Sequence, residues 1–322
     1  MCTAITMNME DFYFGRTLDF DQSFGEEITV TPRAFPFPFR HRDSINRHYA
    51  IIGMARVDEG YPLYFDAFNE AGLAMGALNF VGYAHYKKSA ADKENIASFE
   101  LIPWILGQCS CISEAREHLN RVNITDTAFS CRLQPSQLHW IIADCKETIV
   151  AEITQKGLTV YDNPVGVLTN NPEFDDQLFH LNDYMSLSAE EPVNRFSDRI
   201  QLKSYSRGMG ALGLPGDLSS QSRFARAAFT KLNARQGNTN PISQFFHILD
   251  TVAQVDGCCK VGEEAYEKTL YTSCCNVDKG IYYYTTYENR QITGIDMKRE
   301  DLNSSGLIRY PLIRKEQITF VN

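Results

Sequence analysis

The chain of 322 residues lacks the features of an exported or membrane-spanning protein. A secretory signal combines a basic start with an apolar stretch, but Glu10 and Asp11 interrupt the N-terminal region. No later apolar run reaches the ~20 residues that cross a bilayer. The sequence therefore predicts a soluble, cytoplasmic protein that has no membrane partner.

Positive charge is scarcer than negative charge. Lys plus Arg total 31 and Asp plus Glu total 40, which gives a formal net charge of −9. No stripe of Lys and Arg stands out of the kind that binds a phosphate backbone. The balance argues against nucleic acid as the main partner. It leaves room for an anionic substrate, because one or two local arginines outweigh a distant net charge.

Zinc-site spacing is also missing. The chain has 9 cysteines, and an odd number without an export signal predicts free thiols in a reducing compartment. The adjacent pairs Cys258-Cys259 and Cys274-Cys275 lack the C-x2-4-C spacing of zinc sites. We therefore predict no metal and interpret these cysteines as small buried apolar residues.

The remaining composition is that of an ordinary globular protein, with 43% hydrophobic and 22% charged residues. No internal repeat is visible, and no linker rich in Pro, Gly or Ser divides the chain. We therefore predict a single domain over residues 1–322.

Strand and helix patterns alternate in blocks. Strands are predicted at 2–7, 12–20, 28–32 and 49–55, then as a hairpin of 138–144 with 148–153 whose sheet continues through 157–161 and 166–169, and finally at 269–273, 281–287 and 291–296. Helices are predicted at 98–106, 112–119, 219–232 and 242–255, and a polar stretch at 175–204. This order predicts an α+β protein in which helices cover the outer faces of antiparallel sheets.

Cys2 carries the most specific chemistry in the sequence. Aminopeptidases remove Met1 when a small side chain follows, which leaves a thiol and a free α-amine on one residue. An α-amine has a reference pKa of about 7.7–8.0 and a thiol one of about 8.5. The amine therefore acts as a general base near neutral pH without a histidine. Taken alone, however, a cysteine at position 2 is weak support for catalysis.

A charged pair follows in the next predicted strand. Arg16 and Asp19 are three residues apart, so simple alternation places them on opposite faces. We predict a bend near Gly15 that turns both toward the first strand. There an arginine stabilises a thiolate, and a carboxylate orients an α-ammonium group.

The joint order of several short motifs resembles the choloylglycine hydrolase family, which contains bile salt hydrolases and penicillin V acylases. The resemblance runs from Cys2 to Asn322 and rests on Met1-Cys2-Thr3, Gly15-Arg16-x-x-Asp19, Asn69-Glu70-x-Gly72-Leu73, Leu78-Asn79-Phe80, Gly166-Val167-Leu168-Thr169-Asn170, Gly213-Leu214-Pro215-Gly216-Asp217, Ser222-Arg223-Phe224 and Tyr271-Thr272-Ser273.

The resemblance implies a fold, an assembly and a set of roles. The fold is the αββα sandwich of N-terminal nucleophile hydrolases, active once Met1 is removed, and the assembly is a homotetramer. Cys2 resembles the nucleophile, and no metal or organic cofactor is implied. The surrounding residues resemble the flanking pair Arg16 and Asp19, the oxyanion-hole contributors Asn79 and Asn170, and the arginine that approaches the nucleophile, Arg223.

Within the family, Leu78-Asn79-Phe80 looks like the bile salt hydrolase pattern, whereas penicillin V acylases tend to carry tyrosine at this position. A conjugated bile salt is therefore the expected substrate. An apolar wall for its steroid is predicted from Leu18, Phe24, Phe65 and Phe129.

The sequence departs from the commoner family pattern at Phe80-Val81-Gly82 and at Arg56-Val57-Asp58-Glu59-Gly60, so the conjugate preference stays open. Penicillin V or N-acyl-homoserine lactone acylase activity is the enzymatic alternative. A thiol protein without catalytic activity is the other.

Overall fold

The computed structural model of the chain describes residues 1–235, 237 and 240–322. The strands are β1 Cys2–Asn8, β2 Phe12–Phe20, β3 Glu27–Thr31, β4 Ile51–Asp58, β5 Tyr61–Asn69, β6 Ala74–Asn79, β7 Glu94–Ala97, β8 Val122–Thr125, β9 Leu138–Ala143, β10 Thr148–Thr154, β11 Gly157–Asp162, β12 Val167–Leu168, β13 Cys259–Lys260, β14 Tyr266–Asn276, β15 Ile281–Thr286, β16 Thr293–Asp296 and β17 Ile308–Pro311. The helices are α1 Leu101–Gln108, α2 Ile112–Leu119, α3 Phe174–His180, α4 Ser220–Asn233 and α5 Pro241–Asp250.

Two antiparallel sheets form the centre of the fold. The first has the order β12-β1-β2-β14-β15-β16, with β13 paired to β14, and the second has the order β11-β10-β9-β6-β5-β4-β3-β17. Helices α4 and α5 contact β1 and β14 of the first sheet, and α1 contacts β4, β5 and β6 of the second. The predicted αββα sandwich and its α+β class are confirmed.

Helices α4 and α5 begin at capped ends and bury one face each. The Ser219 side chain accepts a hydrogen bond from the backbone of Ser222, and Asn240 caps α5 ahead of Pro241. Buried residues recur every three or four positions on both helices, as an amphipathic helix requires. The buried face of α4 includes Arg223 and thereby directs its guanidinium at β1.

Strand β2 runs without a break through Gly15, so the predicted bend at this glycine is wrong. A Cβ atom at position 15 would lie 2.1 Å from the backbone oxygen of Ser273 in β14. The glycine therefore permits the close approach of two paired strands.

The sequence predicted that segment 166–169 continues the sheet of the hairpin. This prediction is wrong. Strand β12 pairs with β1 of the first sheet, with Leu168 opposite Ala4. The turn before it carries the chain from one sheet to the other: Gly166 has a φ of 62°, and its N–H donates to Asn163 Oδ1 at 2.8 Å. This crossing brings Asn170 beside the start of β1.

Other predicted boundaries changed as well. Helix α5 ends at Asp250 rather than residue 255, and α3, Phe174–His180, overlaps the start of the predicted polar stretch 175–204. Strands β7 and β8 form a parallel pair that the sequence did not predict. These elements are short, and their pairing depends on distant segments.

The cysteines are all free, but they are not all buried. Cys274 and Cys275 are buried as predicted, whereas Cys258 is exposed, so that part of the prediction is wrong. In the part of the chain that the structure describes, no group of three or more His, Cys, Asp or Glu is arranged to hold a metal ion. Among the same residues, no helix is long and apolar enough to cross a membrane.

Candidate active site

Cys2 begins β1 and faces the space between the two sheets. It lies opposite Leu18 of β2, and both side chains line one cavity. The residue is only 2% exposed. Its backbone N–H donates to Asn170 Oδ1 at 3.0 Å, and its carbonyl accepts from Arg223 Nη1 at 2.5 Å. The backbone of the candidate nucleophile is therefore held on both sides.

Arg16 lies on the same inner face of the sheet. Its Nη1 donates to the Phe65 carbonyl at 3.2 Å and to the Ala77 carbonyl, both in the second sheet. Among the described residues, its buried Nη2 has no hydrogen-bond partner. Burial by itself lowers the pKa of Arg16, but neighbouring acidic groups, with Cys2 the strongest, raise it above its ordinary value. The guanidinium is thus a fixed positive charge beside the thiol.

Asp19 lies on the opposite, outer face of β2 and is completely buried. Its Oδ1 accepts from Thr269 Oγ1 at 2.7 Å, and its Oδ2 accepts from Thr17 Oγ1 at 3.1 Å and from Gln254 Nε2 at 3.4 Å. Its backbone N–H donates to the Met1 carbonyl at 2.9 Å. Arg16 and Asp19 therefore flank Cys2 from the two faces of one strand.

Asn170 and Arg223 form a connected pair behind Cys2. Arg223 Nη2 donates to Asn170 Oδ1 at 2.7 Å, and Nη1 also reaches Thr3 Oγ1 at 2.7 Å. Asn170 Nδ2 donates one hydrogen to the Asn79 carbonyl at 2.8 Å. Because an amide NH2 has two hydrogens, one stays available to an oxyanion. Burial lowers the pKa of Arg223, while Asp19 and Cys2 oppose the shift.

The cavity in front of Cys2 has a volume of about 1030 Å³ including its mouth. All four residues predicted for the apolar wall line it: Leu18, Phe24, Phe65 and Phe129. Of the predicted polar residues, Cys2, Arg16 and Asn79 line the cavity too. Asp19 and Arg223 support Cys2 from behind, and Asn170 reaches the backbones of two lining residues, Cys2 and Asn79. The arrangement provides a thiol at the end of a pocket whose wall is mainly apolar, as in sites that bind amphipathic ligands.

The loop that carries Phe24 is held by a buried carboxylate. Glu26 Oε2 accepts from Ser23 Oγ at 2.8 Å and from the Phe24 N–H at 2.9 Å. Its Oε1 accepts from Arg314 Nη2 at 2.5 Å. The Phe24 ring in turn lies 5.6 Å from the Phe65 ring. The C-terminal segment therefore fixes one wall of the cavity.

Two buried polar clusters were not predicted from the sequence. His139 Nδ1 lies 2.8 Å from Glu152 Oε1, and its Nε2 lies 3.1 Å from the carbonyl of Thr169, the residue before Asn170. In the second sheet, Asp66 accepts from Tyr271 and Tyr282 hydroxyls at 2.6 and 2.5 Å. Burial raises the pKa of Asp66, although Arg16 opposes the shift. The signal in the sequence that could have indicated these clusters is a charged residue inside an otherwise apolar strand segment.

A family model for linear amide C–N hydrolases of the choloylglycine hydrolase family matches residues 2–310. The chain belongs to the choloylglycine hydrolase family. The predicted family and the predicted amide hydrolase class are confirmed by this match and by the relatives.

Members of the choloylglycine hydrolase family match over the full length. A "Bile salt hydrolase/transferase" of Lactiplantibacillus plantarum is 53% identical, with 100% of each chain covered. A protein of the same name from Clostridium perfringens is 37% identical, again with 100% of each chain covered. The crystal structure of the C2A mutant of the conjugated bile acid hydrolase from Clostridium perfringens has a TM-score of 0.94, 37% identity and full coverage of both chains.

A more distant solved structure supports the fold alone. The penicillin V acylase of Agrobacterium tumefaciens has a TM-score of 0.75 at 20% identity, with 98% of this chain and 94% of that chain covered. Its likeness agrees with the two packed sheets and carries no information about the substrate of this chain.

Proposed function

We propose that the chain hydrolyses the amide bond of glycine- or taurine-conjugated bile acids through a thioester on Cys2. The observation that carries the proposal is a buried thiol that opens into a cavity lined by aromatic and aliphatic side chains, with Arg16 beside it. The printed names of the full-length relatives support the choice of a bile acid conjugate. The reaction requires that Met1 is removed, because the backbone nitrogen of Cys2 is otherwise an amide and not a base.

In the proposed reaction, the α-amine of trimmed Cys2 takes the thiol proton, and the thiolate attacks the amide carbonyl. The oxyanion accepts hydrogen bonds from the second Nδ2 hydrogen of Asn170 and from a donor at Asn79. Such donors contribute on the order of 10²–10³ in rate each. The α-ammonium then protonates the departing glycine or taurine. Water, deprotonated by the same amine, hydrolyses the thioester and releases the bile acid.

A side-by-side assay of glycocholate, taurocholate, penicillin V and an N-acyl-homoserine lactone tests this proposal. We expect kcat/KM to be highest for a bile acid conjugate, because its steroid matches an apolar wall of aromatic side chains. Preference for penicillin V or for the lactone would overturn the substrate class while it keeps the chemistry at Cys2. No turnover of any of these substrates by the trimmed chain would favour a thiol protein without catalytic activity.

Arg314→Gln is expected to weaken substrate binding without slowing the chemical step. The substitution removes the charged partner of Glu26, which holds the Phe24 loop. Loss of a hydrogen bond to a charged group costs about 1.5 kcal/mol, or roughly tenfold in KM for glycocholate. Steady-state kinetics measure the effect, and kcat should stay within about twofold of the native value.

The matched control is Arg299→Gln, because Arg299 pairs with Asp296 at 3.3 Å on the surface and is 83% exposed. This variant should leave both constants unchanged. An unchanged KM in Arg314→Gln, or an equal rise in both variants, would show that the C-terminal segment does not shape the pocket.

We also propose that the single domain of residues 1–322 assembles as a homotetramer. Several large apolar side chains are exposed on α3 and in the segment between α3 and α4, and exposed apolar surface of this kind is typical of interaction surfaces. They are Phe179, Met185, Phe196, Tyr205 and Leu212. Light scattering should give a mass of four chains of 36.6 kDa, and a mass of one chain would contradict the proposal.

Free cysteines throughout support a reducing, cytoplasmic location.

A further inference from the structure

The amine of the first residue occupies a preformed ammonium site. Met1 N lies 2.9 Å from Glu267 Oε1 and donates to the Asp19 carbonyl at 2.5 Å. Glu267 is only 9% exposed. Among the described residues, its second oxygen, Oε2, has no hydrogen-bond partner. A buried carboxylate thus has the Met1 ammonium as its charge partner.

Removal of Met1 takes this partner away. A buried carboxylate without a partner is costly, so the mature enzyme needs another cation at the same place. Trimming creates one, because the α-amine of Cys2 becomes the new N-terminus. Consecutive backbone nitrogens are at most about 3.7 Å apart, so this amine starts within about 7 Å of Glu267 Oε1. The position left by Met1 N is 2.9 Å from Glu267 Oε1 and at most about 3.7 Å from the Cys2 nitrogen.

We propose that Glu267 is a positioning residue, which holds the α-amine of trimmed Cys2 directly or through one water at the former place of Met1 N, and thereby sets the pH range in which this amine acts as a base. The inference rests on the proposed function, since it concerns the base of the same reaction. Glu267 lies on β14, a strand that also contacts the site at Asp19, which accepts from Thr269 Oγ1, and at Arg16, whose backbone N–H donates to Ser273 Oγ.

The charged groups around the amine come from several elements. Asp19 and Arg16 approach from β2, and Arg223 approaches from α4. The two arginines disfavour an ammonium, whereas the two carboxylates favour it. Cys259 lies opposite Glu267 on β13, and burial, reinforced by Glu267, raises the pKa of its thiol, so it adds no negative charge near neutral pH. The two arginines stabilise the thiolate but disfavour the protonated α-amine. Glu267 therefore offsets their effect on this amine.

Glu267→Gln tests the inference because it removes the charge and keeps the shape. A carboxylate favours the protonated amine, so its loss makes the amine neutral at lower pH. The acid limb of kcat/KM for glycocholate should move down by about 1 pH unit, the low end of the effect of a nearby opposite charge. Glu267→Asp keeps the charge and should restore most of the native profile, which a merely structural role would not predict.

The matched control is Glu264→Gln, because Glu264 is an exposed residue in the turn before β14. Its pH profile should equal that of the native enzyme. An unmoved acid limb in a folded, active Glu267→Gln enzyme would overturn the inference. So would an equal shift in the Glu264→Gln control.

A second measurement does not depend on turnover. In trimmed Cys2→Ala protein, the rate at which the α-amine reacts with an acylating reagent is followed against pH by intact mass. Adding Glu267→Gln should lower the midpoint by the same ~1 unit, and an unchanged midpoint would contradict the inference. Failure of the proposed function shows differently, as absence of glycocholate hydrolysis by the native enzyme, while this titration still reports on Glu267.

Discussion

Cys2→Ser, in a chain from which Met1 has been removed, is expected to lower kcat for glycocholate by at least about 10³-fold. The exchange keeps the α-amine, the cavity and the contacts of the Cys2 backbone. It replaces the thiol by a hydroxyl, which an amine of pKa near 8 deprotonates to a far smaller extent. Arg16, placed beside a thiolate, then has no anion to stabilise.

The measurement is the initial rate of glycine release at a saturating concentration of glycocholate, with trimming verified by intact mass. Cys145→Ser is the matched control, since Cys145 is an exposed free cysteine outside the cavity lining. It should leave the rate unchanged. Release near the native rate by the Cys2→Ser protein would mean that another group forms the covalent intermediate, or that none does.

Asn170→Ala has the second largest expected effect, a loss of about 10²–10³-fold in kcat. The side chain makes three contacts at the site, to Cys2 N–H, to Arg223 Nη2 and to the Asn79 carbonyl. Its truncation removes an oxyanion donor and leaves the buried Arg223 guanidinium without one of its acceptors. Because the oxyanion exists only in the tetrahedral state, kcat should fall while KM changes little.

Asn171→Ala is the neighbouring control, because Asn171 is exposed. It should retain native kinetics. A large rise in KM with native kcat in the Asn170→Ala enzyme would assign Asn170 to ground-state binding and remove it from the oxyanion hole.

Features that depend on local sequence were predictable. Removal of Met1 leaves Cys2 with both a thiol and a free α-amine, and this chemical possibility follows from its position alone. The strands around Arg16 and Asp19 and the helix that carries Arg223 follow from apolar periodicity and from the capping residue Ser219. The order of short motifs then supplied the family and the roles that local patterns leave open.

Contacts between distant segments were not predictable. Asp66 meets the hydroxyls of Tyr271 and Tyr282 only because the two sheets pack face to face. Likewise, β12 joins the first sheet after a turn at Gly166, and no periodicity in a strand of two residues encodes that choice. Arg16 and Asp19 lie on opposite faces of β2, as strand alternation predicts. The bend was predicted in order to turn both side chains toward the first strand, but no bend is needed because the two residues approach Cys2 from the two faces of the sheet.

The net charge of −9 also shows the limits of composition. The groups nearest the thiol include two completely buried arginines, Arg16 and Arg223. A buried charge acts at short range through a medium of low effective dielectric, whereas exposed carboxylates are screened by solvent and salt. The buried charges of Arg16 and Arg223 therefore weigh more at Cys2 than the excess of acidic side chains on the surface.

The central claim, a Cys2 thioester in the trimmed chain, is tested most directly by the mass of an acid-quenched reaction with glycocholate. We expect a cholyl adduct on chains that lack Met1, which peptide mapping places on Cys2, and no adduct on chains that keep Met1. An adduct on chains with Met1, or on another cysteine such as Cys259, would contradict it.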